Sequence, residues 1–545
     1  MAGTKSLKRP TTRAAAPGST DSFDLDQYVD KYIWLVIPVL VALYYWFGSG
    51  STGFYQDDEI GHYRNIRQFW GDPFSIMGNQ PKPGWKILLV VPGLFGFPGV
   101  MLAHALIAAL TVVFTYKLAR AMGFRNASIA ALLLGVQPLW LQLSFRAYSE
   151  ITASLFVILM LWSWARDRHI LAAIFASYVF TIRQEFALVA IGIGVIYLAR
   201  RQWLPFLALA WTPIVLTLIG WMATGNIMWL IDDMTRVGTG FDVPHKPFWH
   251  YFGVAIHIFG PVSLALFMVG YWTTFFPFER IRETLKKEGL LLFTFTVMWA
   301  WSVFSAWDYT SLLGMENRSP NPGHWRYVLS IAPLVAVYAA KALTVVTEGK
   351  RRAAVAGVLG AFVLVTLLFL SRASDGLLLT AEASYTNLLI VLLVAVLFSV
   401  VMWTRAIGIG ATGVLLLIAG LAHTFATEKP RTLDVEAETV KRAAEWYLAQ
   451  SADLQARPLF GNHVLFRYFA DIDINDKNRD RSMQLETLAA APKGSIVVWD
   501  SHYGNSQFGG NVPVDSLLNN TAFTPLEQIV APDQRFGILV FEKTR

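Results

Sequence analysis

Long apolar segments alternate with short polar segments over most of the chain. A bilayer span needs about 20 mostly apolar residues, and thirteen segments approach or reach that length. They lie at 32–47, 99–120, 126–144, 149–165, 168–182, 185–200, 203–223, 252–273, 289–306, 326–346, 353–371, 384–403 and 406–425. This pattern predicts an α-helical polytopic membrane protein with about 13 transmembrane helices.

One further apolar segment, 85–97, is too interrupted to be a regular span. It contains Pro92, Gly93 and Gly96, and these residue types break helices. We therefore predict a short helix that dips into the outer leaflet. It would belong to a long first outer loop, residues 48–98.

The charges of the polar segments predict the orientation. Cytoplasmic loops of membrane proteins are enriched in Lys and Arg, and every second loop is basic here, including 120–125, 280–287 and 350–352. The polar N-terminal segment 1–30 is predicted to be a disordered cytosolic tail. Residues 31–426 would form the transmembrane catalytic domain, and an odd number of spans places its end outside the cytoplasm.

The composition agrees with a membrane protein and excludes several other classes. The chain has 545 residues, of which 54% are hydrophobic and 15% charged, and its mean hydropathy is +0.44. Soluble domains are about 25% charged. The net charge of +7 lies in short loops, so it does not indicate nucleic-acid binding. The absence of cysteine excludes disulfides, thiolate metal sites and thiol nucleophiles.

The pattern changes after residue 426. The segment 434–450 has the periodicity of an amphipathic helix. The segments 496–499 and 536–541 are short apolar runs typical of buried strands. Residues 427–545 are therefore predicted to form a small soluble α/β domain on the extracytoplasmic side.

Three adjacent acids, Asp57, Asp58 and Glu59, occupy the first outer loop. Adjacent carboxylates raise one another's pKa values, which suits a general base. A solvated acidic turn is the alternative interpretation. The length of the loop and its many aromatic residues favour a catalytic role, because a freely solvated loop does not need apolar side chains.

Charged residues recur at the other outer ends of the spans. Ionisable groups within a membrane cost about 2.5–3.5 kcal/mol each at the centre of a helix, so several on one side indicate a polar cavity. Snorkelling to the interface explains single arginines equally well, and that alternative stays open for Arg146 and Arg183. The candidates are Arg146, Arg183, Glu185, Asp232, Asp233, His324 and Arg326.

No motif for ATP hydrolysis, dinucleotide binding, serine hydrolysis or zinc-dependent proteolysis is present. His62, His245, His250 and His324 could meet at the outer face, but no His-x-His or His-x-x-x-His spacing occurs. We predict no metal site and no cofactor. A divalent metal is the open alternative.

The order of these features resembles the GT-C glycosyltransferases, integral membrane enzymes that use polyprenyl-phosphate sugars. The segment 55–63 (YQDDEIGHY) is similar to their first-loop Asp-Glu motif, and 81–85 (PKPGW) is similar to the segment before their second span. The segment 323–327 (GHWRY) resembles the His/Arg/Tyr segment of the lipid-linked mannosyltransferases. The segment 183–185 resembles their Arg-Pro-Glu-like turn, with Gln in place of Pro. The resemblance covers residues 30–425.

The resemblance implies an inverting transferase in which the first acid of the Asp-Glu pair is the general base. Asp58 is the expected base with Glu59 beside it, and Asp57 is a rival because the aspartate is doubled. A hexose, expected to be mannose, would pass from a polyprenyl phosphate to a hydroxyl of a glycan, lipid or protein. The reaction would take place on the extracytoplasmic face of the plasma (inner) membrane of a prokaryote.

Under this interpretation the other outer residues divide into two groups. The candidate ligands of the donor phosphate are Arg326, His324, Arg183 and Arg146. The candidate acceptor- or substrate-binding residues are His62, Tyr63, Glu185, Asp232, Asp233, Trp499 and His502.

Two other functions fit a multispan protein. A transporter or flippase of lipid-linked sugars would show related halves and broken helices near the midplane, and the sequence shows neither. An enzyme of the oligosaccharyltransferase type would need metal-binding carboxylates, for which Asp57, Asp58, Asp232 and Asp233 are candidates, and a Trp-Trp-Asp motif, which is absent. A hexosyltransferase is therefore the favoured prediction.

Overall fold

The structure is a computed structural model. It describes residues 25–78, 80–236, 246–307, 322–349, 351–368, 373–374, 380–381, 385–404, 406–506 and 509–545. His245 and most of the predicted N-terminal tail lie outside the described residues.

Most of the described chain is helical. The helices up to residue 143 are Leu25–Tyr32, Val36–Ser49, Asp58–Gln68, Pro83–Lys86, Gly96–Ala121, Ala127–Gly135 and Pro138–Leu143. The next are Ser149–Ala165, His169–Ile182, Ala187–Ala199, Trp203–Ala208, Trp211–Thr224, Trp229–Arg236, His250–Phe259, Pro261–Trp272, Ile281–Ala306, Ala332–Glu348, Arg352–Leu368, Tyr385–Ser399 and Ile409–Thr427.

Seven helical segments among the described residues are long and apolar enough to cross a membrane. They are Asp26–Ser49, Pro92–Ala121, Trp203–Thr224, Ile281–Ala306, Trp325–Glu348, Tyr385–Thr404 and Ile409–Thr427. An eighth is the bent pair His250–Phe259 and Pro261–Phe275, and the shorter apolar helices are Ser149–Ala165, His169–Ile182, Gln184–Ala199 and Arg352–Leu368. Every predicted span except 126–144 coincides with one of these segments. The polytopic helical fold class is therefore confirmed.

Prolines interrupt two of the predicted spans. The segment 126–144 is divided into two short helices, and the second begins at Pro138, which has no N–H to continue the first. The segment 252–273 bends by 117° where Gly260, at φ +77°, precedes Pro261. The two breaks lie together, because a Cβ at Gly260 would come within 3.2 Å of Pro138.

The first helix begins earlier than the composition predicts. Residues 25–30, assigned above to the disordered tail, belong to the helix Leu25–Tyr32. The buried carboxylate of Asp26 accepts hydrogen bonds from the backbone N–H groups of Ala127 and Ser128, each at 3.0 Å. It thereby satisfies N–H groups in the first turn of the helix Ala127–Gly135 that have no partner within that helix, and it ties the start of the chain to the bundle.

The first loop packs between the membrane helices and the C-terminal domain. Its helix Asp58–Gln68 contributes Ile60 to a hydrophobic cluster with residues of that domain. Arg64 donates to the carbonyl of Ile472 at 2.7 Å and pairs with Asp480 at 3.0 Å. The loop is therefore held on both sides, and its acidic residues have fixed positions.

The C-terminal domain contains a four-stranded sheet with the order Leu459–Gly461, Ile496–Asp500, Gly537–Lys543 and Phe523–Val530. The first pair of strands is parallel and the others are antiparallel. Its helices are Val435–Leu448, Ala452–Gln455, Val464–Phe469, Leu485–Ala489 and Asp515–Leu518. The predicted helix and both predicted strands are present. A separate short pair, Ala373–Ser374 and Thr380–Ala381, lies in the membrane part of the sequence.

A close helix contact at Gly270 supplies a test of the packing. A Cβ at Gly270 would lie 1.8 Å from the backbone oxygen of Tyr338 on the neighbouring helix. We expect Gly270→Ala to lower the free energy of unfolding by about 1–3 kcal/mol, because the two backbones must separate. Thermal unfolding of the purified protein in detergent measures the effect.

Gly357→Ala is the matched control, since nothing lies within 4 Å of the added methyl group. Alanine is favoured over glycine inside a helix by about 1 kcal/mol, so this variant should unfold at the wild-type temperature or slightly higher. Equal melting temperatures for the two variants would contradict the close helix contact.

Candidate functional site

A cavity of about 540 Å³ lies where the first loop meets the ends of several helices. Its walls come from the loop, from the turn after the helix His169–Ile182, from the helix Trp229–Arg236 and from the segment that begins at Trp325. Its ionisable residues are Asp58, His62, Lys82, Arg183, Glu185, Asp233, Arg326 and Tyr327. Six of the predicted site residues are therefore brought together.

Asp58 points into this cavity from the first turn of its helix. Its side chain is 58% exposed, and its Oδ2 accepts a hydrogen bond from Arg326 Nη2 at 2.9 Å. Enclosure by protein raises the pKa of Asp58, but the charge and hydrogen bond of Arg326, with Lys82 and His324, outweigh this effect and lower the pKa below its usual value. The carboxylate is therefore ionised near neutral pH and accessible to a small molecule.

Asp57 faces a different partner. Its Oδ2 accepts a hydrogen bond from the hydroxyl of Tyr503 in the C-terminal domain, and Asp57 does not line the cavity. The two rival aspartates therefore have different environments: of the two, only Asp58 lines the cavity and contacts Arg326.

Glu59 and Arg146 form a buried ion pair away from the cavity. Glu59 Oε2 accepts from Arg146 Nη1 at 2.9 Å and from the backbone N–H of Tyr55 at 3.1 Å. Arg146 also donates to the carbonyls of Gln142 and Gly53. Neither charged side chain lines the cavity, so the role of the pair is to link the loop to the bundle.

Two buried arginines share the carboxylate of Glu150. Arg183 Nη1 contacts Glu150 Oε1 at 2.6 Å, and Arg326 Nε lies 3.8 Å from the same oxygen. Arg183 Nε also contacts Glu185 at 2.5 Å. The guanidinium of Arg326 lies over the ring of Tyr148, 4.6 Å from its centre. Both cations are therefore held rigidly at the cavity wall.

Lys82 is a third cation that the sequence argument did not select. It has a left-handed backbone, with φ +61°, immediately before Pro83, and its Nζ donates to Ser149 Oγ at 3.2 Å. Burial and the charge of Arg183 lower the pKa of Lys82 to about 8. The only sequence signal was its position in the segment 81–85, which resembles a GT-C segment.

Three of the candidate acceptor- or substrate-binding residues lie at the cavity wall. His62, Glu185 and Asp233 all line the cavity. The ring of His62 packs edge-on against Trp85, with 4.9 Å between centroids. Burial, with the charges of Lys86 and Lys82, lowers the pKa of His62 well below its usual value, so the imidazole is neutral.

The remaining predicted residues lie outside the cavity lining. Tyr63 packs on Phe97, Asp232 accepts from Asn226 at 2.7 Å, and Trp499 donates to the carbonyl of Val512 at 2.8 Å. His324 lies behind Arg326, with its Nδ1 3.4 Å from Gln56 Nε2. His502 lies in the C-terminal domain against Glu436, with 2.7 Å between Nδ1 and Oε1.

Among the described residues, one group of side chains that could bind a metal ion lies close together, and it lies outside the cavity. It consists of Glu436, His463 and His502. Two of the carboxylates that line the cavity, Asp58 and Glu185, are already paired with arginines.

Two solved structures share the arrangement of the membrane helices and the C-terminal domain. ArnT from Cupriavidus metallidurans bound to undecaprenyl phosphate matches with a TM-score of 0.53 and 14% identity, over 94% of this chain and 98% of that one. ArnT in the apo state matches with a TM-score of 0.52 and 13% identity over the same shares. This chain has the GT-C glycosyltransferase fold. No family model and no curated sequence matches it.

The match confirms the fold that the resemblance of the short motifs implies. At this level of identity the likeness concerns the architecture, so the chemistry has to be argued from the side chains of this chain. The two chains correspond over nearly their whole lengths, and the C-terminal domain, which the motifs did not cover, is included in the match.

The buried pair of Glu59 and Arg146 supplies a stability prediction. Glu59→Gln removes the negative charge that compensates Arg146, and both side chains are at most 2% exposed. Loss of one partner of a buried pair costs about 3–5 kcal/mol, so we expect a clearly lower melting temperature. Asp72→Asn, an exposed capping residue of the same loop, should unfold like the wild type. A Glu59→Gln protein as stable as Asp72→Asn would contradict the role of the pair.

Proposed function

We propose that this protein is a membrane glycosyltransferase that moves a hexose from a polyprenyl-phosphate donor to an acceptor hydroxyl. The observation that carries the proposal is the juxtaposition, in one cavity, of an accessible ionised carboxylate with three cations. Asp58 supplies the carboxylate, and Lys82, Arg183 and Arg326 supply the positive charge. The GT-C fold supports the reaction class.

In this proposal Asp58 is the general base. It accepts the proton of the acceptor hydroxyl while that oxygen attacks the anomeric carbon from the face opposite the phosphate. A single displacement of this kind inverts the anomeric configuration. Arg326 orients the carboxylate and keeps it ionised. Glu150 and Glu185 are less suited to this role, because their side chains are only 1% and 13% exposed, compared with 58% for Asp58.

The leaving phosphate would bind to the three cations. Charge-assisted hydrogen bonds from Arg and Lys to phosphate oxygens are strong, and fixed cations stabilise the charge that develops on the leaving group. Arg183 and Arg326 are partly compensated by Glu150. Lys82 forms no direct ion pair among the described residues, so its ammonium group is available to the phosphate. ArnT was solved with undecaprenyl phosphate, which supports a polyprenyl phosphate as the donor carrier.

The acceptor would enter over His62, Glu185 and Asp233, which line the same cavity. We propose that the cavity opens on the extracytoplasmic side of a prokaryotic inner membrane, because the basic loops occupy the opposite ends of the helices. Mannose is the proposed hexose, on the resemblance of the segment 323–327 to lipid-linked mannosyltransferases. The side chains alone supply the proposed acid–base and charge effects, without a cofactor.

The proposed base is tested with Asp58→Asn. We expect the variant to fold and to transfer sugar about 10²–10⁴-fold more slowly, because the amide cannot accept the proton. The purified protein is incubated with synthetic undecaprenyl-phosphate hexoses, mannose among them, and with a membrane lipid extract as a source of acceptors. Mass spectrometry follows the sugar and the released undecaprenyl phosphate.

Asp57→Asn is the matched control, since the neighbouring carboxylate faces Tyr503 and not the cavity. It should retain more activity than Asp58→Asn. Wild-type rates in Asp58→Asn would remove Asp58 from the mechanism. If the wild-type protein consumed none of the donors but moved them across a vesicle membrane, the protein would be a transporter and not a transferase.

The lowered pKa of Lys82 predicts how donor binding depends on pH. The ammonium form binds phosphate, so affinity for undecaprenyl phosphate should fall as the pH rises through about 8. Loss of one charge-assisted contact costs about 1.5–3 kcal/mol, which is about 10- to 150-fold in affinity. Lys82→Arg stays charged and should shift this fall to higher pH. Binding titrations between pH 6 and 10 measure it.

Lys477→Arg, at an exposed position of the C-terminal domain, is the control and should keep the wild-type profile. If the affinity of Lys82→Arg for undecaprenyl phosphate fell over the same pH range as that of the wild type, another group would control the affinity.

A further inference from the structure

A second constellation of chemically active side chains lies in the C-terminal domain. Glu436, His463 and His502 direct one ligand atom each toward a common point, and these atoms lie within 4.8 Å of one another. Glu436 Oε1 is 3.0 Å from His463 Nε2 and 2.7 Å from His502 Nδ1. The three residues come from a helix start, a strand-to-helix turn and the turn after the strand Ile496–Asp500.

The spacing fits a tetrahedral metal ion. Zinc binds imidazole nitrogen and carboxylate oxygen at about 2.0–2.2 Å, which places neighbouring ligand atoms about 3.3 Å apart. The two contacts to Glu436 Oε1, 3.0 and 2.7 Å, need to open by about 0.3–0.6 Å to reach this spacing. The two histidine nitrogens, which lie within 4.8 Å of each other, need to be no farther apart than the same spacing when the ion is bound. Two histidines and one carboxylate are a ligand set that zinc uses with a fourth position left for water or another ligand.

The two histidines of this group differ in their exposure to solvent. The side chain of His463 is 1% exposed, whereas that of His502 is 44% exposed, so an ion can enter from the His502 side. Within the described part of the chain, His463 Nδ1 and Asp500 Oδ2 are buried without hydrogen-bond partners. An imidazole that binds a metal through Nε2 carries its proton on Nδ1, and carboxylates beside such histidines tune the site.

The ligands are also held in place by their surroundings. The ring of His502 stacks on Tyr503, with 4.1 Å between centroids and 9° between the planes. Asp500 Oδ1 accepts the backbone N–H groups of His502 and Tyr503 at 3.0 and 2.6 Å, which fixes the turn that carries His502. A site with oriented ligands requires little rearrangement on binding.

We propose that Glu436, His463 and His502 bind a divalent cation of the zinc type. The ion would join the helix Val435–Leu448 to the turn at residues 500–503. Tyr503 in that turn donates its hydrogen bond to Asp57, next to Asp58, so the ion would brace the contact between the C-terminal domain and the first loop. The proposal is independent of the glycosyltransferase reaction.

Zinc binding to the full-length protein in detergent tests this proposal. The protein is treated with a chelator and dialysed, and zinc uptake is measured by mass spectrometry of the metal. Cobalt(II) is added in parallel, because tetrahedral cobalt gives an intense visible spectrum. We expect one equivalent of zinc, a tetrahedral cobalt spectrum and a higher melting temperature with metal, since a ligand that binds only the folded state stabilises it.

The variants His502→Asn and Glu436→Gln remove one ligand each. We expect each to weaken zinc binding more than about 100-fold, because loss of a residue that only hydrogen-bonds a metal ligand already costs about 10- to 100-fold in affinity. Glu438→Gln, an exposed acid on the same helix, is the matched control and should bind like the wild type. Wild-type protein that takes up no zinc, or His502→Asn with wild-type affinity, would overturn the proposal and leave a plain imidazole–carboxylate cluster. The wild-type stoichiometry and cobalt spectrum decide the question even if a variant fails to fold.

Discussion

The buried guanidinium of Arg326 is the constraint on which the cavity depends. A charge of this kind is tolerated away from water only when anions and hydrogen-bond acceptors surround it. Asp58 contacts it at 2.9 Å, Gln56 accepts from it, and Glu150 lies at 3.8 Å. These partners come from the first loop and from the start of another helix. Because Arg326 needs all of these partners, its contacts hold the first loop, the helix that carries Glu150 and the segment at residue 325 together.

The first loop shows how three adjacent acids acquire three different environments. Successive residues of an α-helix point about 100° apart, so neighbours at a helix start cannot face the same partner. Asp57 meets Tyr503, Asp58 meets the cavity and Arg326, and Glu59 is buried. The sequence left Asp57 and Asp58 as rivals because the direction of each side chain depends on where the helix begins. The structure defines that point, and it favours Asp58 for the proposed base.

Local hydropathy was enough to predict most of the membrane architecture, because a span must be apolar along its whole length. Hydropathy alone failed for the segment 126–144, because Pro138 divides this apolar segment into two helices. The disordered tail was drawn too long because Asp26 finds its partners about a hundred residues away. The strand Leu459–Gly461 has only three residues, too few to show a period. Lys82 likewise became a candidate only when its left-handed backbone and its contact with Ser149 were known.

The C-terminal domain illustrates what sequence spacing cannot reveal. His463 and His502 follow Glu436 by 27 and 66 residues along the chain. No short sequence motif therefore marks the three ligands. The fold brings them together one residue away from Tyr503, whose hydroxyl holds Asp57. The same contact that directs Asp57 away from the cavity thus connects the first loop to the proposed metal site. A domain with no role at the first loop would not need this linkage, and its presence argues that the domain positions the acidic loop.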